Sequence, residues 1–307
     1  MAFTETTARS PAVSPGRRRI AHWVKGAGLM LMAALVFALM GMLIKGLGPA
    51  FRVWDVAMFR FVGGLVLLTL ISGQRRGLLR PNRPWLMITR GIVGCTAFIA
   101  FVTALHLIPF STATVIFFSF PAFAALFSAI LFKSRVSWFE AACIAMAIIG
   151  AGVLFDVDLT GAWLGQALAL LAGALAGLTV SMIKILRESN GPVIIYFYLC
   201  LAGAAVALAP FLVNPHWPSS SREWLMVGAV IVFATAGQLL MNQGFHYCQS
   251  WEGGLYMTSE VIFATLLGVL YFGEVLTGRF WMGGGLIFLS ALAFNLRGLA
   301  FVRGDHR

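Results

Sequence analysis

Residues 104–135 read ALHLIPFSTATVIFFSFPAFAALFSAILFKSR, and residues 244–275 read GFHYCQSWEGGLYMTSEVIFATLLGVLYFGEV. The second stretch follows the plan of the first 140 positions later: the end of one apolar run, a short turn, then another run. Six positions are identical: His106 and His246, Ser119 and Ser259, Phe123 and Phe263, Ala124 and Ala264, Leu126 and Leu266, Phe132 and Phe272. In so apolar a sequence, six identities carry less weight than the order of the runs around them. Residues 28–152 and 166–303 each divide into five apolar spans, and Lys45 near the end of the first span stands opposite Lys184 near the end of the sixth. An odd number of crossings sends the second copy into a bilayer from the opposite side. The expected fold is an all-α polytopic membrane protein of ten transmembrane helices, arranged as two inverted five-helix repeats. In that plan a solute is held between the halves near the bilayer midplane.

Composition points the same way. Of 307 residues, 60% are hydrophobic and 11% charged, against about 25% charged in a soluble domain. A helix needs about 20 apolar residues to cross a hydrocarbon core of about 30 Å. Backbone hydrogen bonds in lipid are satisfied only in helices and closed barrels, and these runs are too long for tilted strands. The spans are expected near 26–47, 54–72, 85–106, 111–132, 138–155, 163–184, 193–213, 224–247, 253–272 and 278–300. Trp54, Trp85, Trp138, Trp163, Trp224, Trp251 and Trp281 each sit at or beside the start of a run, where an amphipathic ring prefers the headgroup level.

The net charge of +11 is explained by its distribution and implies no nucleic-acid partner. With the N-terminus inside, 16 of the 22 lysines and arginines fall on the cytoplasmic side, while Lys45, Arg52, Arg222 and Arg279 lie outside. That bias orients the chain with both termini cytoplasmic, as expected for a bacterial inner-membrane protein. Residues 1–25 are polar and basic, lack the apolar core of a cleaved leader, and are expected to form a disordered cytoplasmic tail. Residues 26–155 make the first repeat, the acidic stretch 156–162 an external linker, and 163–303 the second repeat. Cys95, Cys143, Cys200 and Cys248 fall within spans or at a span end without metal-type spacing. No metal or cofactor is expected.

Polar side chains inside spans are costly and so become functional candidates. Arg60 lies about a turn and a half into the second span, five residues after Asp55, a separation off the ideal same-face spacing. It suits a substrate carboxylate or phosphate, and equally a structural pair with Asp55 or a lipid headgroup. Arg90 lies towards the cytoplasmic end of the third span, where snorkelling is easy, and reads as structural. Glu260 sits deep in the ninth span with Tyr256 one turn earlier. It is a candidate for proton coupling or for binding a substrate amine, set against a helix-packing role. Gln238, Asn242 and His246 follow one stripe of the eighth span, and such amides either join helices or line a wet cavity. His106, His246, Lys45 and Lys184 close their spans and read as interfacial groups. Gly173 and Gly177 give the sixth span a thin face for close helix packing. Pro121 permits a bend in the fourth. The expected substrate-binding set is Arg60, Gln238, Asn242, Tyr256 and Glu260, with Glu260 as coupling group. A mixture of cationic and anionic groups suits a zwitterionic solute.

At these residues the chain resembles the drug/metabolite transporter superfamily, in particular its EamA-type ten-span members. The resemblance rests on Met40-Gly41-Met42-Leu43-Ile44-Lys45, Phe59-Arg60-Phe61, Thr89-Arg90-Gly91 and Phe118-Ser119-Phe120-Pro121 in the first half. Ser259-Glu260-Val261 and Phe272-Gly273-Glu274 carry it in the second. Val261 stands where the family has proline, so no proline kink is expected beside Glu260, and Lys133-Ser134 replaces the Gly-Glu step in the first half. The resemblance implies an inner-membrane carrier of a small metabolite, working by alternating access and in many members exporting. The stretch from Arg90 to Pro121 is similar to members that move S-adenosylmethionine-like or riboflavin-like solutes, which makes uptake of a nucleotide-like or vitamin-like solute the alternative. The expected partners are a small-molecule metabolite and membrane lipid, and a homodimer is compatible with the plan. No His/Glu metal pair, Gly-rich phosphate loop or pair of carboxylates on one face occurs. A membrane-embedded enzyme would gather its polar groups at one interface, whereas these spread towards the midplane.

Overall fold

The computed structural model describes residues 15–71, 81–131, 137–154, 162–247 and 250–304. Helices α1 (Pro15–Leu47), α2 (Val53–Ile71), α3 (Pro84–Leu107), α4 (Phe110–Phe117), α5 (Phe120–Leu131) and α6 (Trp138–Leu154) make the first half. Helices α7 (Ala162–Leu186), α8 (Pro192–Val213), α9 (Ser221–Tyr247), α10 (Ser250–Met257), α11 (Ser259–Phe272) and α12 (Gly278–Gly304) make the second. No strand occurs among the described residues. Six of the helices, α1 from Val24, α2, α3, α7, α8 and α9, are long and apolar enough to cross a membrane, and the other apolar segments are shorter. Helix α1 already runs from Pro15, so residues 15–25, assigned to the tail from sequence, are helical. Residues 1–14 and linker residues 156–161 lie outside the described residues, and Ala162, assigned to the linker from sequence, begins α7.

Local chemistry sets the helix ends. Pro84 and Pro192 occupy first-turn positions of α3 and α8, where the missing N–H costs nothing. Gly273, at φ 63°, closes α11 in the left-handed conformation and returns its N–H to the carbonyl of Val269.

Two expected spans are each broken in two. The fourth stops at Phe117 because Pro121 has no N–H to give the Phe117 carbonyl. The Phe118 N–H is shared between the Thr114 carbonyl at 3.0 Å and that of Val115 at 3.1 Å, and the Ser119 N–H turns back to Ile116 at 3.1 Å. The ninth is broken at Thr258 even though Val261 replaces proline. Here side-chain hydroxyls do the work: Thr258 Oγ1 donates to the Gly254 carbonyl at 2.8 Å and Ser259 Oγ to that of Tyr256 at 2.6 Å. The Val261 N–H then bonds Thr258, three residues back. Ser and Thr competing with the backbone in this way commonly bend helices.

The two halves interleave. The most extensive packings, α1 on α9, α3 on α7, α6 on α12 and α2 on α8, all join one half to the other. Helix α7 carries Gly173 and Gly177 against the broken fourth span, and α6 crosses α12 where Gly150 and Gly283 face each other's carbonyls. The turns are pinned as well. At one end His216 N–H donates to Asp55 at 3.3 Å, and the His216 ring stands edge-on to Phe51. At the other, Asn82 N–H donates to Asn190 Oδ1 at 2.9 Å, and Asn190 Nδ2 returns a bond to the Asn82 carbonyl at 3.2 Å.

A Cβ at Gly177 would lie 2.6 Å from the backbone nitrogen of Ala124 and 2.8 Å from the Phe120 carbonyl oxygen. Since backbone cannot swing aside, Gly177→Leu is expected to cost about 3 kcal/mol or more. This should register as a lower melting temperature and poor recovery in detergent. Gly152→Ala, with nothing within 4 Å of its Cβ, should behave as the parent.

Candidate functional site

Arginines 60 and 90 enter the interior from α2 and α3, and α8 and α9 of the second half close over them. Both are buried, with 3% and 2% of their surface exposed. The Arg60 guanidinium carbon lies 3.8 Å from the centre of the Phe98 ring and 5.0 Å from that of Phe61. These aromatic faces attract a cation through the ring quadrupole. Arg90 Nη2 points to Gln238 Oε1 at a long 3.4 Å. Beyond this, Nε and Nη1 of both arginines are buried without a hydrogen-bond partner. The guanidiniums act electrostatically on each other and on the Tyr196 and Cys200 groups of α8. Gly64, one turn beyond Arg60, admits the second half here: a Cβ in its place would lie 2.8 Å from Cys200 Sγ and 3.1 Å from the Tyr196 hydroxyl. That hydroxyl lies near Thr235 of α9 and Cys200 of α8, but neither Tyr196 Oη nor Thr235 Oγ1 reaches a partner with good hydrogen-bond geometry.

Asp55 is not the partner of Arg60. It accepts from the Arg52 backbone N–H at 3.0 Å and from Arg52 Nε and Nη2 at 3.2 Å each, in the single ion pair among the described residues. Arg52 is three residues from Asp55, a better helical-turn spacing than the five that separate Asp55 from Arg60.

Of the residues expected from sequence to bind substrate, Arg60 and Gln238 come together around Arg90. Asn242 is fully buried one turn beyond Gln238, with Nδ2 at 3.5 Å from the Pro192 carbonyl and Oδ1 without a partner. Glu260 is buried in the first turn of α11, and no charged side chain among the described residues acts on it. Tyr256 lies in the last turn of α10, so the Thr258 break separates it from Glu260 and the two do not share one continuous helix. Sequence reasoning passed over Tyr196 and Thr235, and took Arg90 for an interfacial residue. A signal was present: apart from Asp55, already matched by Arg52, neither deep arginine has an acid at helical spacing.

Lys45 also departs from its expected role as a snorkelling anchor. Its ammonium donates to the carbonyls of Leu105 and, at 2.7 Å, Ile108, at the C-terminal end of α3. Across the turn, Glu274 from beyond α11 accepts from the Phe110 N–H, from the Ser111 N–H at 3.0 Å and from the Ser111 hydroxyl at 2.6 Å. A cation at the end of one helix and an anion at the start of the next both complement the helix dipoles. Lys184 of the second half, by contrast, is exposed.

Interleaved apolar helices around a buried polar centre define a multi-pass membrane protein. The model of the EamA-like transporter family matches residues 24–155 and again 163–296, and the chain belongs to that family. It is 22% identical over 273 residues to a pseudopaline exporter of Pseudomonas aeruginosa, covering 88% of this chain and 95% of that one. Identity is 23% over 305 residues to human solute carrier family 35 member G1, covering 94% and 80%. An S-adenosylmethionine uptake transporter of Rickettsia felis is 22% identical over 285 residues, covering 89% and 92%. A solved crystal structure shares the fold at a TM-score of 0.62 and 20% identity, over 92% of this chain and 99% of its own.

Removing the Glu274 carboxylate strips three hydrogen bonds from the start of α4. Glu274→Ala is expected to lower stability by about 1–3 kcal/mol, read as thermal unfolding in detergent. Glu274→Gln, which keeps acceptor capacity without charge, should fall between the two.

Proposed function

We propose that the chain is a ten-helix secondary carrier moving a small polar or zwitterionic metabolite across a bacterial inner membrane by alternating access, in the direction of export. The observation that carries this reading is the centre formed by Arg60, Arg90 and Gln238, buried in apolar protein and shared by helices of both halves. A site between two bodies opens to one side at a time when one rocks against the other.

Packing supports the inverted repeat behind that motion. In the numbering of the ten expected spans, the first lies on the eighth and the sixth on the third, the pairs that interchange when the halves are swapped. Asp55, past the first turn of one half, meets the segment before the eighth span, and Asn190, in the matching turn of the other, meets Asn82 before the third. The broken helices fall in the fourth and ninth spans, and interrupted segments in corresponding positions point to a transport path. The two family matches support repeats over 26–155 and 163–303, with both termini cytoplasmic from the charge bias. Arg60, Gln238, Asn242, Tyr256 and Glu260 line the path, and Glu260, buried at the start of a half-helix without a cation, is the coupling group. The pseudopaline exporter supports export. The S-adenosylmethionine uptake transporter supports the second reading, uptake of a nucleotide-like solute.

A comparison of metabolites inside and outside cells with and without the protein tests the carrier reading. Without it, one polar metabolite should accumulate inside, and identical profiles would overturn the proposal. In reconstituted vesicles Glu260→Gln should abolish proton-driven flux while insertion stays intact. Unchanged flux would remove Glu260 from the coupling role.

A further inference from the structure

We infer that the Arg60 and Arg90 guanidiniums, with Tyr196 and Thr235, form a binding site for the anionic group of the transported solute, a carboxylate or phosphate. This rests on the carrier reading and names the chemistry at its centre.

The argument begins with charge. Arginine cannot shed its proton in a protein, and an isolated ion in apolar surroundings is strongly unfavourable unless paired. Two such ions lie close enough here to repel, and neither forms an ion pair among the described residues. Among the described residues, the chain's own acids offer no relief. Asp55 is held by Arg52, Glu274 caps α4, Glu140 and Glu223 accept from serines just before their own helices, Glu188 is exposed, and Glu260 has no charged neighbour among those residues. The Phe98 and Phe61 rings offset part of the cost for Arg60, but a ring covers only the flat face of a guanidinium. Its edge N–H groups remain, and they match the two oxygens of a carboxylate or phosphate in one plane.

Geometry agrees with charge. Among the described residues, the buried groups lacking partners at this centre are Arg60 Nε and Nη1, Arg90 Nε and Nη1, Tyr196 Oη and Thr235 Oγ1, while Ser119, His106 and Arg187 carry others elsewhere. They come from α2 and α3 of one half and α8 and α9 of the other, so a guest anion would bridge the two bodies. Buried polar groups in folded proteins are nearly always satisfied, and here six gather in one place. The anion end of the solute is thereby assigned to this centre and separated from Glu260, which belongs to a different helix pair.

Purified protein in detergent, titrated with succinate, glutamate and inorganic phosphate, tests the site by thermal unfolding. Putrescine and succinamide serve as cationic and neutral counterparts, and phosphatidylglycerol micelles as the lipid source of the same chemistry. At least one soluble anion is expected to raise the melting temperature saturably, by about 5 °C at a hundredfold excess over its Kd. The shift should vanish in Arg60→Gln/Arg90→Gln, persist in Arg52→Gln, and weaken at least tenfold in Kd in the single Lys variants, which keep charge without the planar fork. Overturning results are an anion shift that survives the double substitution, stabilisation by putrescine or succinamide alone, stabilisation by phosphatidylglycerol with none by soluble anions, or no shift from any probe. If the folded double variant is not recovered, the Lys variants decide, and an unchanged Kd in both overturns the site. A cell-borne solute without an anionic group would sink this inference and leave the carrier standing. Arginine-dependent anion binding without any metabolite change would do the reverse.

Discussion

An unpaired backbone carbonyl or N–H in hydrocarbon costs several kcal/mol, and the polar side chains of this protein are concentrated where a helix has to stop or break. Lys45 takes the last carbonyls of α3, Glu274 the first N–H groups of α4, and Thr258 and Ser259 the Gly254 and Tyr256 carbonyls of α10. Asn242 leans on the Pro192 carbonyl at the start of α8. Each group comes from an element other than the one it completes, except at Thr258, so the ends of one helix depend on the placement of another. That dependence ties the two halves into one body without a hydrophobic force between helices, which lipid largely removes.

Where the same rule is relaxed, the protein has its polar centre. The two deep arginines sit among aromatic rings and small residues, on helices packed through glycines at positions 64, 91 and 203. Unlike Arg52, they have no carboxylate partner among the described residues. Instead the guanidiniums face hydroxyls and an amide from the opposite half, an arrangement stable only because tight packing around it is extensive.

Much of this was legible in the residues. The tryptophans and apolar runs placed α2, α3, α7 and α8 within a residue or two at most ends, because crossing lipid is a demand on length and composition alone. The broken spans were not, since an apolar run has the same hydropathy whether or not its amides reach four residues back. Pro121 announced the first break, but Thr258 and Ser259 are ordinary helix residues until their hydroxyls rotate onto carbonyls. Arg90 was misjudged for a related reason: its depth along α3 suggested reach to the interface, while α8 and α9, more than a hundred residues on, seal it in. Lys45 likewise finds its partners some sixty residues away, a separation that no local pattern encodes.

The two helix breaks stand in matching places but differ in kind. Proline's missing donor is permanent, so the chain at Phe117 carries the same bend in every conformation. The bend at Thr258 is accompanied by two rotatable hydroxyls, and that of Ser259 occupies the Tyr256 carbonyl which a straight helix would offer to the Glu260 N–H. One half therefore bends at a missing donor and the other beside hydroxyls that take up carbonyls, and next to the second bend lies the buried carboxyl of Glu260.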